Sequence, residues 1–283
     1  ISRGLVGSEM CIRDRGNAAF MTLEDSSGRL QIFLSRNKLN EKLDEAKDLD
    51  LGDIIGVKGI LFRTNTDELT VDLDSFELLT KSLKPMPEKH KGLTDIETIY
   101  RKRYLDLMSN PESREVFIKR NKIIKSIRTN LESNGFLEVE TPMMHPIPGG
   151  ANARPFETHH NALDKKLYLR VAPELYLKRL LVGGYEKVFE INRNFRNEGI
   201  STIHNPEFTM LEFYEAYGDL QRTAKFIQKL IQDSILAVND SLKITYDQKN
   251  INFEKDFEIR SLKELVKEEL NVESLENEED IFC

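Results

Sequence analysis

Polar residues alternate with apolar ones along the segment Val188–Glu198, in the middle of the chain. Alternate residues of a β-strand share a face, so one side of this strand would carry two carboxylates, two amides and a guanidinium. These residues are Glu190, Asn192, Asn194, Arg196 and Glu198. Such a face either meets solvent or lines a polar site, and alternation alone leaves both readings open.

A second segment, Phe208–Tyr214, follows after the short loop 199–205. One of its faces carries two aromatic rings and an acid, and the opposite face is suited to a core. A loop this short predicts that the two segments pair as a hairpin. Pairing would bring Arg196, Glu198, Phe208 and Glu212 onto one sheet surface. That surface suits a ligand that combines a phosphate, a planar ring and a cation.

The elements around this hairpin predict two domains with different architectures. Short strands separated by turns fill residues 16–80, with one polar helical stretch at 38–48, which is typical of a small oligonucleotide-binding (OB) barrel. Residues 81–100 contain prolines and many lysines and read as a linker. Residues 101–283 mix helices and strands, beginning with a long amphipathic helix that Asn110 would cap. Residues 1–15 show neither alternation nor a helical stripe and read as a non-native or disordered leader.

Composition excludes several classes of protein. The 283 residues carry a net charge of −7, which argues against a protein that coats nucleic acid through bulk charge. No run of eighteen apolar residues exists, so no membrane span is expected. The only cysteines, Cys11 and Cys283, support neither a disulfide framework nor a zinc site. We therefore expect a cytoplasmic protein. The barrel and the mixture of helices and strands after it predict the α+β class.

Several continuous segments resemble class II aminoacyl-tRNA synthetases. FRNE at 195–198 and HNPEFTMLEFY at 204–214 resemble their motif 2, and GFLEVETP at 135–142 resembles motif 1, an element of the dimer interface. PGG at 148–150 and APELYLK at 172–178 resemble the bacterial-type lysyl-tRNA synthetases in particular. The resemblance covers about residues 16–270. It implies an N-terminal OB barrel followed by part of an antiparallel-sheet catalytic domain with flanking helices.

The resemblance also implies a role for each residue of an ATP site. Arg196 would be catalytic, because it would hold the α-phosphate and stabilise charge as the amino-acid carboxylate attacks. Glu198 would read the adenine amino group, and Phe208 would stack on the adenine ring. His204 and Asn205 would help to hold the triphosphate or a metal, with an exposed loop histidine as the alternative for His204.

Lysine would be bound by acids, because burying an ammonium group without anions is costly. Glu174 and Glu212 are the candidates, whereas an aspartate-specific enzyme would favour a cation at such positions. Tyr214 would shape the pocket or donate a hydrogen bond, with plain packing as the alternative. Gly150 would let the backbone approach the amino acid closely.

In the barrel, the resemblance implies that Phe20, Gln31 and Glu68 read the anticodon. Phe20 would be a stacking platform, with core packing as its alternative, and the other two would bond base edges. The implied partners are tRNA(Lys), L-lysine, ATP and a second copy of the chain, contacted through the motif 1 region.

Magnesium is expected with ATP, but its ligands in the family come from sequence after Cys283. The resemblance also implies a motif 3, a later strand and helix whose arginine covers the other face of the adenine. No part of residues 218–283 matches it, so we expect the 283-residue chain to be an inactive fragment. Two other functions stay open at this point. One is an aspartyl- or asparaginyl-type synthetase, and the other is a non-catalytic RNA-binding protein that keeps only the barrel.

Overall fold

A computed structural model describes residues 2–6, 18–25, 27–84, 93, 95–201 and 203–270 of the chain, with only the backbone described at 2–6 and 270. Cys11 and Cys283, on which the expectation of no disulfide or zinc site depends, lie outside these ranges. The chain divides into two compact units, residues 1–117 and 118–283.

The first unit contains a closed five-stranded barrel in the order β1-β2-β3-β5-β4. Its strands are β1 (Ser2–Val6), β2 (Ala18–Asp25), β3 (Gly28–Ser35), β4 (Ile54–Arg63) and β5 (Leu69–Thr80). All neighbouring strands run antiparallel except β3 and β5, which are parallel. The barrel and its mixed pairing confirm the predicted oligonucleotide-binding type of fold.

Alternation places one face of each barrel strand in the core. The buried strand residues are Ala19, Met21, Leu23, Ile32, Leu34, Ile55, Val57, Val71 and Leu73. The connection between β3 and β4 contains the short helices α1 (Arg36–Leu39) and α2 (Lys42–Glu45) and the 3-10 turn Ala46–Asp48, and it packs Leu39, Leu43 and Ala46 into the core. Sequence analysis predicted one helix at 38–48. The helix is interrupted because Asn40 has a positive φ of 51°.

Strand β1 falls in the segment that sequence analysis assigned to a leader outside the barrel. Its backbone pairs antiparallel with both β2 and β4, so it closes the barrel. Ladder hydrogen bonds join main-chain groups and need no alternation of side chains, which is why the pattern missed this strand. The rest of the predicted leader lies outside the described residues, as do residues 85–92 and 94 of the predicted linker.

Two further helices belong to the first unit. They are α3 (Ile96–Arg101) and α4 (Arg103–Ser109). Helix α3 begins where the Asp95 carboxylate accepts a 2.9 Å hydrogen bond from the Thr98 main-chain N–H. The helix starts inside the range predicted as linker. Asp95 satisfies a main-chain N–H of the first turn that has no partner within the helix, so a helix can begin directly after a polar segment.

The second unit is built from four helices and eight short strands within the described residues. The helices are α5 (Pro111–Ser133), whose first seven residues still belong to the first unit, α6 (Glu174–Val182), α7 (Leu220–Leu236) and α8 (Leu262–Leu270). The strands are β6 (Leu137–Glu138), β7 (Met144–His145), β8 (Glu157–His160), β9 (Lys165–Leu169), β10 (Lys187–Phe195), β11 (Glu207–Glu215), β12 (Lys243–Tyr246) and β13 (Lys249–Asn252).

Helix α5 begins as the sequence predicts. The Asn110 side chain accepts a 3.1 Å hydrogen bond from the main-chain N–H of Glu112, and Pro111 takes the first helical position. Gly135, with a φ of +81°, follows the last turn and redirects the chain into β6.

Strands β10 and β11 pair antiparallel over their full length, with Glu190 opposite Glu212 and Asn194 opposite Phe208. Strand β6 adds to β10 in parallel. The apolar face of the hairpin packs against α5 and α7 around Leu131, Phe136, Phe189 and Leu230. This core fixes the opposite, polar face of the hairpin. Nowhere in the described ranges is a helix long and apolar enough to cross a membrane.

Candidate active site

The arginine and the aromatic ring predicted to share a surface lie together at one end of the hairpin. The main-chain N–H of Arg196 donates a 2.9 Å hydrogen bond to the carbonyl of Pro206, which continues the pairing one residue beyond β10. The Arg196 guanidinium carbon lies 5.2 Å from the centroid of the Phe208 ring. A cation and a flat ring therefore stand side by side, an arrangement that suits a nucleotide.

The Arg196 side chain also carries an unused donor. Its Nε atom is buried and has no hydrogen-bond partner within the described part of the chain. A buried donor left without an acceptor costs on the order of 1–3 kcal/mol. An oxygen of a bound phosphate would supply the missing acceptor and would also meet the charge of the guanidinium.

Acidic residues gather at the other end of the polar face. The Tyr214 hydroxyl donates a 3.0 Å hydrogen bond to Oε2 of Glu212. On α6, Oε1 of Glu174 lies 2.5 Å from Nζ of Lys178, and that Nζ lies 5.9 Å from the centroid of the Tyr214 ring. The two carboxylates predicted to bind an ammonium group are thus connected through one tyrosine and one lysine.

The electrostatics of this acidic end favour an incoming cation. Burial is the main cause that raises the pKa of Glu212, and repulsion from Glu174 and Glu190 raises it further. The hydrogen bond from Tyr214 opposes this shift. Burial and the same hydrogen bond raise the pKa of Tyr214, so its hydroxyl stays a donor at neutral pH. An ammonium group bound here would relieve the repulsion between the carboxylates.

Gly150 lies against the start of α6. Its φ is +90°, a left-handed conformation that favours glycine, and a Cβ atom there would come within 3.3 Å of the Cβ atoms of Ala172 and Glu174. The glycine therefore allows its loop to lie close to Glu174, and close approach to a bound amino acid stays a prediction.

The middle of the polar face is a buried hydrogen-bonded network rather than an open wall. Glu190 and Asn194 are each about 1% exposed, which excludes a solvent-facing sheet surface. Glu190 accepts a 2.7 Å hydrogen bond from Arg170 Nη1 and a 2.6 Å bond from the Thr141 hydroxyl. Asn192 adds a 3.1 Å bond to the same carboxylate. The network holds the polar face in one conformation.

Arg170 is the residue that sequence analysis missed. Its Nε donates a 2.9 Å hydrogen bond to the Arg193 carbonyl, and its own carbonyl accepts a 3.0 Å bond from the N–H of Phe195. Arg170 thus supports the strand just before Arg196, and it lies four residues before Glu174 in the chain. Arg170 directly follows strand β9 and continues its alternation from Tyr168, and this position was the only indication in the sequence. No regular spacing connects Arg170 to Glu190.

His145 is a second missed residue. It is 4% exposed, and its Nε2 lies 2.8 Å from the Pro142 carbonyl. Burial lowers the pKa of His145, so a neutral ring donates this bond. The ring lies 4.7 Å from that of Tyr176, measured between centroids, and so helps to place the first turn of α6.

The loop between β10 and β11 holds the remaining predicted ATP contacts. Glu198 was expected on the sheet surface, but β10 ends at Phe195, so Glu198 lies in the loop. Its Oε1 accepts a 3.2 Å hydrogen bond from the Arg154 main-chain N–H. Nδ1 of His204 lies 2.8 Å from the Ser201 hydroxyl, and Asn205 follows it at the exposed end of the loop. These contacts shape the loop and leave the ligand roles of its residues as predictions.

The barrel presents a separate candidate surface. Phe20 packs on Phe33 with ring centroids 4.9 Å apart, and Phe62 lies 6.2 Å from Phe33. Phe20 is half-buried on the outer face and is absent from the barrel core, so the core-packing alternative is excluded. Gln31 Nε2 donates a 3.1 Å hydrogen bond to Glu68, which brings the two predicted base readers together.

Comparison with known proteins settles the family. A family model described as tRNA synthetases class II (D, K and N) matches residues 95–281, which is more than half of the chain. The chain belongs to the class II tRNA synthetases. A second model, the OB-fold nucleic acid binding domain, matches residues 4–79 of this chain, a range that includes part of strand β1.

Similar curated proteins carry the name lysine–tRNA ligase. The chain is 54% identical to the lysine–tRNA ligase of Neisseria meningitidis serogroup B over 264 residues, which is 93% of this chain and 52% of the relative. It is 56% identical to that of Legionella pneumophila strain Lens over 257 residues, 90% of this chain and 51% of the relative. The chain thus spans about half the length of these relatives.

The class II synthetase family uses ATP and typically magnesium. Among the residues that the structure describes, no group of three or more His, Cys, Asp or Glu side chains is placed to hold a metal ion. Of the two adjacent histidines on β8, Nε2 of His159 lies 3.3 Å from Oδ1 of Asp164, and Nδ1 of His160 accepts a hydrogen bond from the Leu163 N–H. The described residues thus offer no such group for magnesium, and the ligands implied by the resemblance remain a prediction.

Proposed function

We propose that the protein containing this chain is a lysine–tRNA ligase. It would activate L-lysine with ATP to give lysyl-adenylate and pyrophosphate, and would then transfer lysine to the 3′ end of tRNA(Lys). The observation that carries this proposal is the arrangement of the polar face. It has a guanidinium 5.2 Å from an aromatic ring at one end and a Tyr214–Glu212 hydrogen bond beside Glu174 at the other.

The activation step follows from this arrangement. Phe208 would stack on adenine, Glu198 would accept a hydrogen bond from its amino group, and Arg196 would hold the α-phosphate. The lysine carboxylate attacks the α-phosphorus, the bond to the β-phosphate oxygen breaks, and pyrophosphate leaves. The fixed guanidinium stabilises the extra negative charge on the α-phosphate oxygens in the transition state. His204 and Asn205 would contact the triphosphate.

Selection of lysine would depend on the acidic end. Glu174 and Glu212 would bind ammonium groups of the substrate, and Tyr214 would orient Glu212 through its hydrogen bond. Gly150 would give the substrate room beside Glu174. Aspartate would place a carboxylate among these acids, which burial and repulsion strongly disfavour. The acidic end therefore favours lysine over aspartate.

Transfer to tRNA needs no covalent enzyme intermediate. The 3′-terminal ribose hydroxyl attacks the carbonyl of lysyl-adenylate, and AMP leaves. The barrel formed by β1–β5 would read the anticodon with Phe20, Gln31 and Glu68. Residues 81–100 would link it to the catalytic part at 101–283. We further propose a cytoplasmic homodimer that pairs through the motif 1 region, with magnesium bound by residues outside the described ranges.

The test is amino-acid-dependent ATP–pyrophosphate exchange by a full-length protein that contains this sequence. Lysine should support exchange, whereas aspartate and asparagine should not. Exchange with aspartate or asparagine but not with lysine would contradict the lysine assignment. If no amino acid supports exchange and ATP does not bind, the protein is an RNA-binding module and not a synthetase.

The proposed anticodon platform gives a testable change in tRNA affinity. Phe20→Ala should weaken tRNA(Lys) binding by about 5- to 150-fold, because stacking of one base on an aromatic ring is worth roughly 1–3 kcal/mol. The measurement is a filter-binding or fluorescence titration with tRNA(Lys). Leu78→Ala, which removes an exposed apolar side chain from β5 of the same barrel, is the control. Equal affinities of the two variants would contradict a platform at Phe20.

The shifted pKa of Glu212 predicts a pH dependence of lysine binding. The carboxyl takes up a proton at a higher pH than an ordinary glutamate, since burial raises its pKa. The protonated acid attracts an ammonium group less, so lysine affinity should fall as the pH is lowered through this pKa, by at most about tenfold per pH unit. Titration calorimetry between pH 7.5 and about 5 would measure this.

Glu212→Gln should flatten this pH profile, because an amide does not titrate. Glu207→Gln is the matched control, since Glu207 lies on the same strand and is 55% exposed, paired with Arg193. A pH profile unchanged by Glu212→Gln would show that another group causes the dependence.

A further inference from the structure

A lysine of the protein itself occupies the acidic end of the candidate site. Nζ of Lys178 lies 2.5 Å from Oε1 of Glu174 and 5.9 Å from the centroid of the Tyr214 ring. Both partners are residues proposed above to bind substrate lysine. The group that contacts them is a primary ammonium group, which is chemically the same group that the substrate would bring.

We propose that Lys178 is a resident cation of the amino-acid pocket, and that an ammonium group of substrate lysine displaces it from Glu174. This inference rests on the proposed function. It makes Lys178 a residue that sets the affinity of the pocket for its substrate. Displacement involves an exchange of ion-pair partners only, so no covalent bond changes.

The surroundings of Lys178 make this exchange easy. The Lys178 side chain is 53% exposed, so its ammonium group can return to water without a large desolvation change. Glu174 is less exposed, at 31%, and stays in the pocket. A lysine one helical turn after a glutamate slightly stabilises any helix, so the spacing of Glu174 and Lys178 does not by itself connect them to the pocket. The contact with Tyr214 on β11 is what connects this pair to the pocket.

The resident cation has two opposite effects on the unliganded protein. Three carboxylates lie near one another here, and those of Glu174 and Glu190 both repel Glu212. Lys178 neutralises one of the three, Glu174. It also competes with the substrate for Glu174. Removing it should therefore leave the pocket more negative and raise its affinity for a cationic amino acid.

The test compares lysine binding by the full-length protein with and without this side chain. Lys178→Met should lower the Kd for L-lysine about two- to fivefold, which corresponds to the worth of a half-exposed ion pair. The matched control is Lys166→Met. Lys166 pairs with Glu157 at 2.7 Å and lies 5.3 Å from the Tyr168 ring, the same kind of contact away from the pocket.

A double-mutant cycle separates competition from a general change in charge. In a Glu174→Gln background, Lys178→Met should no longer tighten lysine binding, because the shared carboxylate is gone. Weaker or unchanged lysine binding by Lys178→Met alone would overturn the inference, as would equal tightening by Lys166→Met. If the unmutated protein does not bind lysine at all, the proposed function itself fails.

Discussion

Replacing Arg196 with alanine should lower lysine-dependent ATP–pyrophosphate exchange by the full-length protein about 100- to 1000-fold. One preorganised donor aimed at a developing oxyanion is worth a factor of this size. The side chain stands beside the Phe208 ring, and its buried Nε has no partner among the described residues, so it is ready for a phosphate oxygen. The exchange rate should be measured at saturating ATP and lysine, and also at low ATP.

The matched control for this experiment is Arg193→Ala. Arg193 lies on the same strand, but its side chain is 52% exposed and pairs with Glu207. It should change exchange by less than about threefold, because exposed ion pairs contribute little. Arg196→Lys should fall between wild type and Arg196→Ala, since it keeps the charge and loses the two-pronged geometry. Equal rates for Arg196→Ala and Arg193→Ala would contradict the catalytic role of Arg196.

Removing Glu190, the buried acid of the polar face, should destabilise the hairpin. Glu190→Leu should lower the free energy of unfolding around β10 by about 3–5 kcal/mol, because it leaves the buried Arg170 guanidinium without its counter-charge. Arg170 and Glu190 are each about 1% exposed or less in this pair. Amide hydrogen exchange in β10 and α7 measures this free energy for their own unit.

Two comparisons show whether the buried pair itself causes the loss. Glu157→Leu breaks an exposed pair with Lys166 and should cost less than about 1 kcal/mol. The double variant Arg170→Met/Glu190→Leu should be more stable than Glu190→Leu alone, since it removes both buried charges. A Glu190→Leu variant within about 1 kcal/mol of wild type would contradict the structural role of this network.

Local patterns predicted the elements that position the site. The predicted cap at Asn110 matches the start of α5, and alternation over Val188–Glu198 located β10, which ends at Phe195. These features depend on residues close together in the chain, so sequence spacing contains the information. Strand β1 was missed because its pairing is a property of the backbone and of strands far along the chain.

The ends of the candidate site were predictable and its centre was not. Hairpin pairing brings Arg196 and Phe208 together, since their spacing across a short loop determines the register. Arg170 reaches Glu190 across twenty residues, and no periodicity connects them. The pairing of Lys178 with Glu174 follows helical spacing, but its position near Tyr214 depends on how α6 packs on β11.

The most direct test of the proposed site is a crystal structure of the full-length protein with a non-hydrolysable lysyl-adenylate analogue. We expect adenine on the Phe208 ring, the phosphate substitute at the Arg196 guanidinium, and an ammonium group at Glu174 or Glu212. Lys178 should then have left Glu174. An analogue bound away from the β10–β11 surface, or bound there with Arg196 directed away from it, would contradict the proposed site.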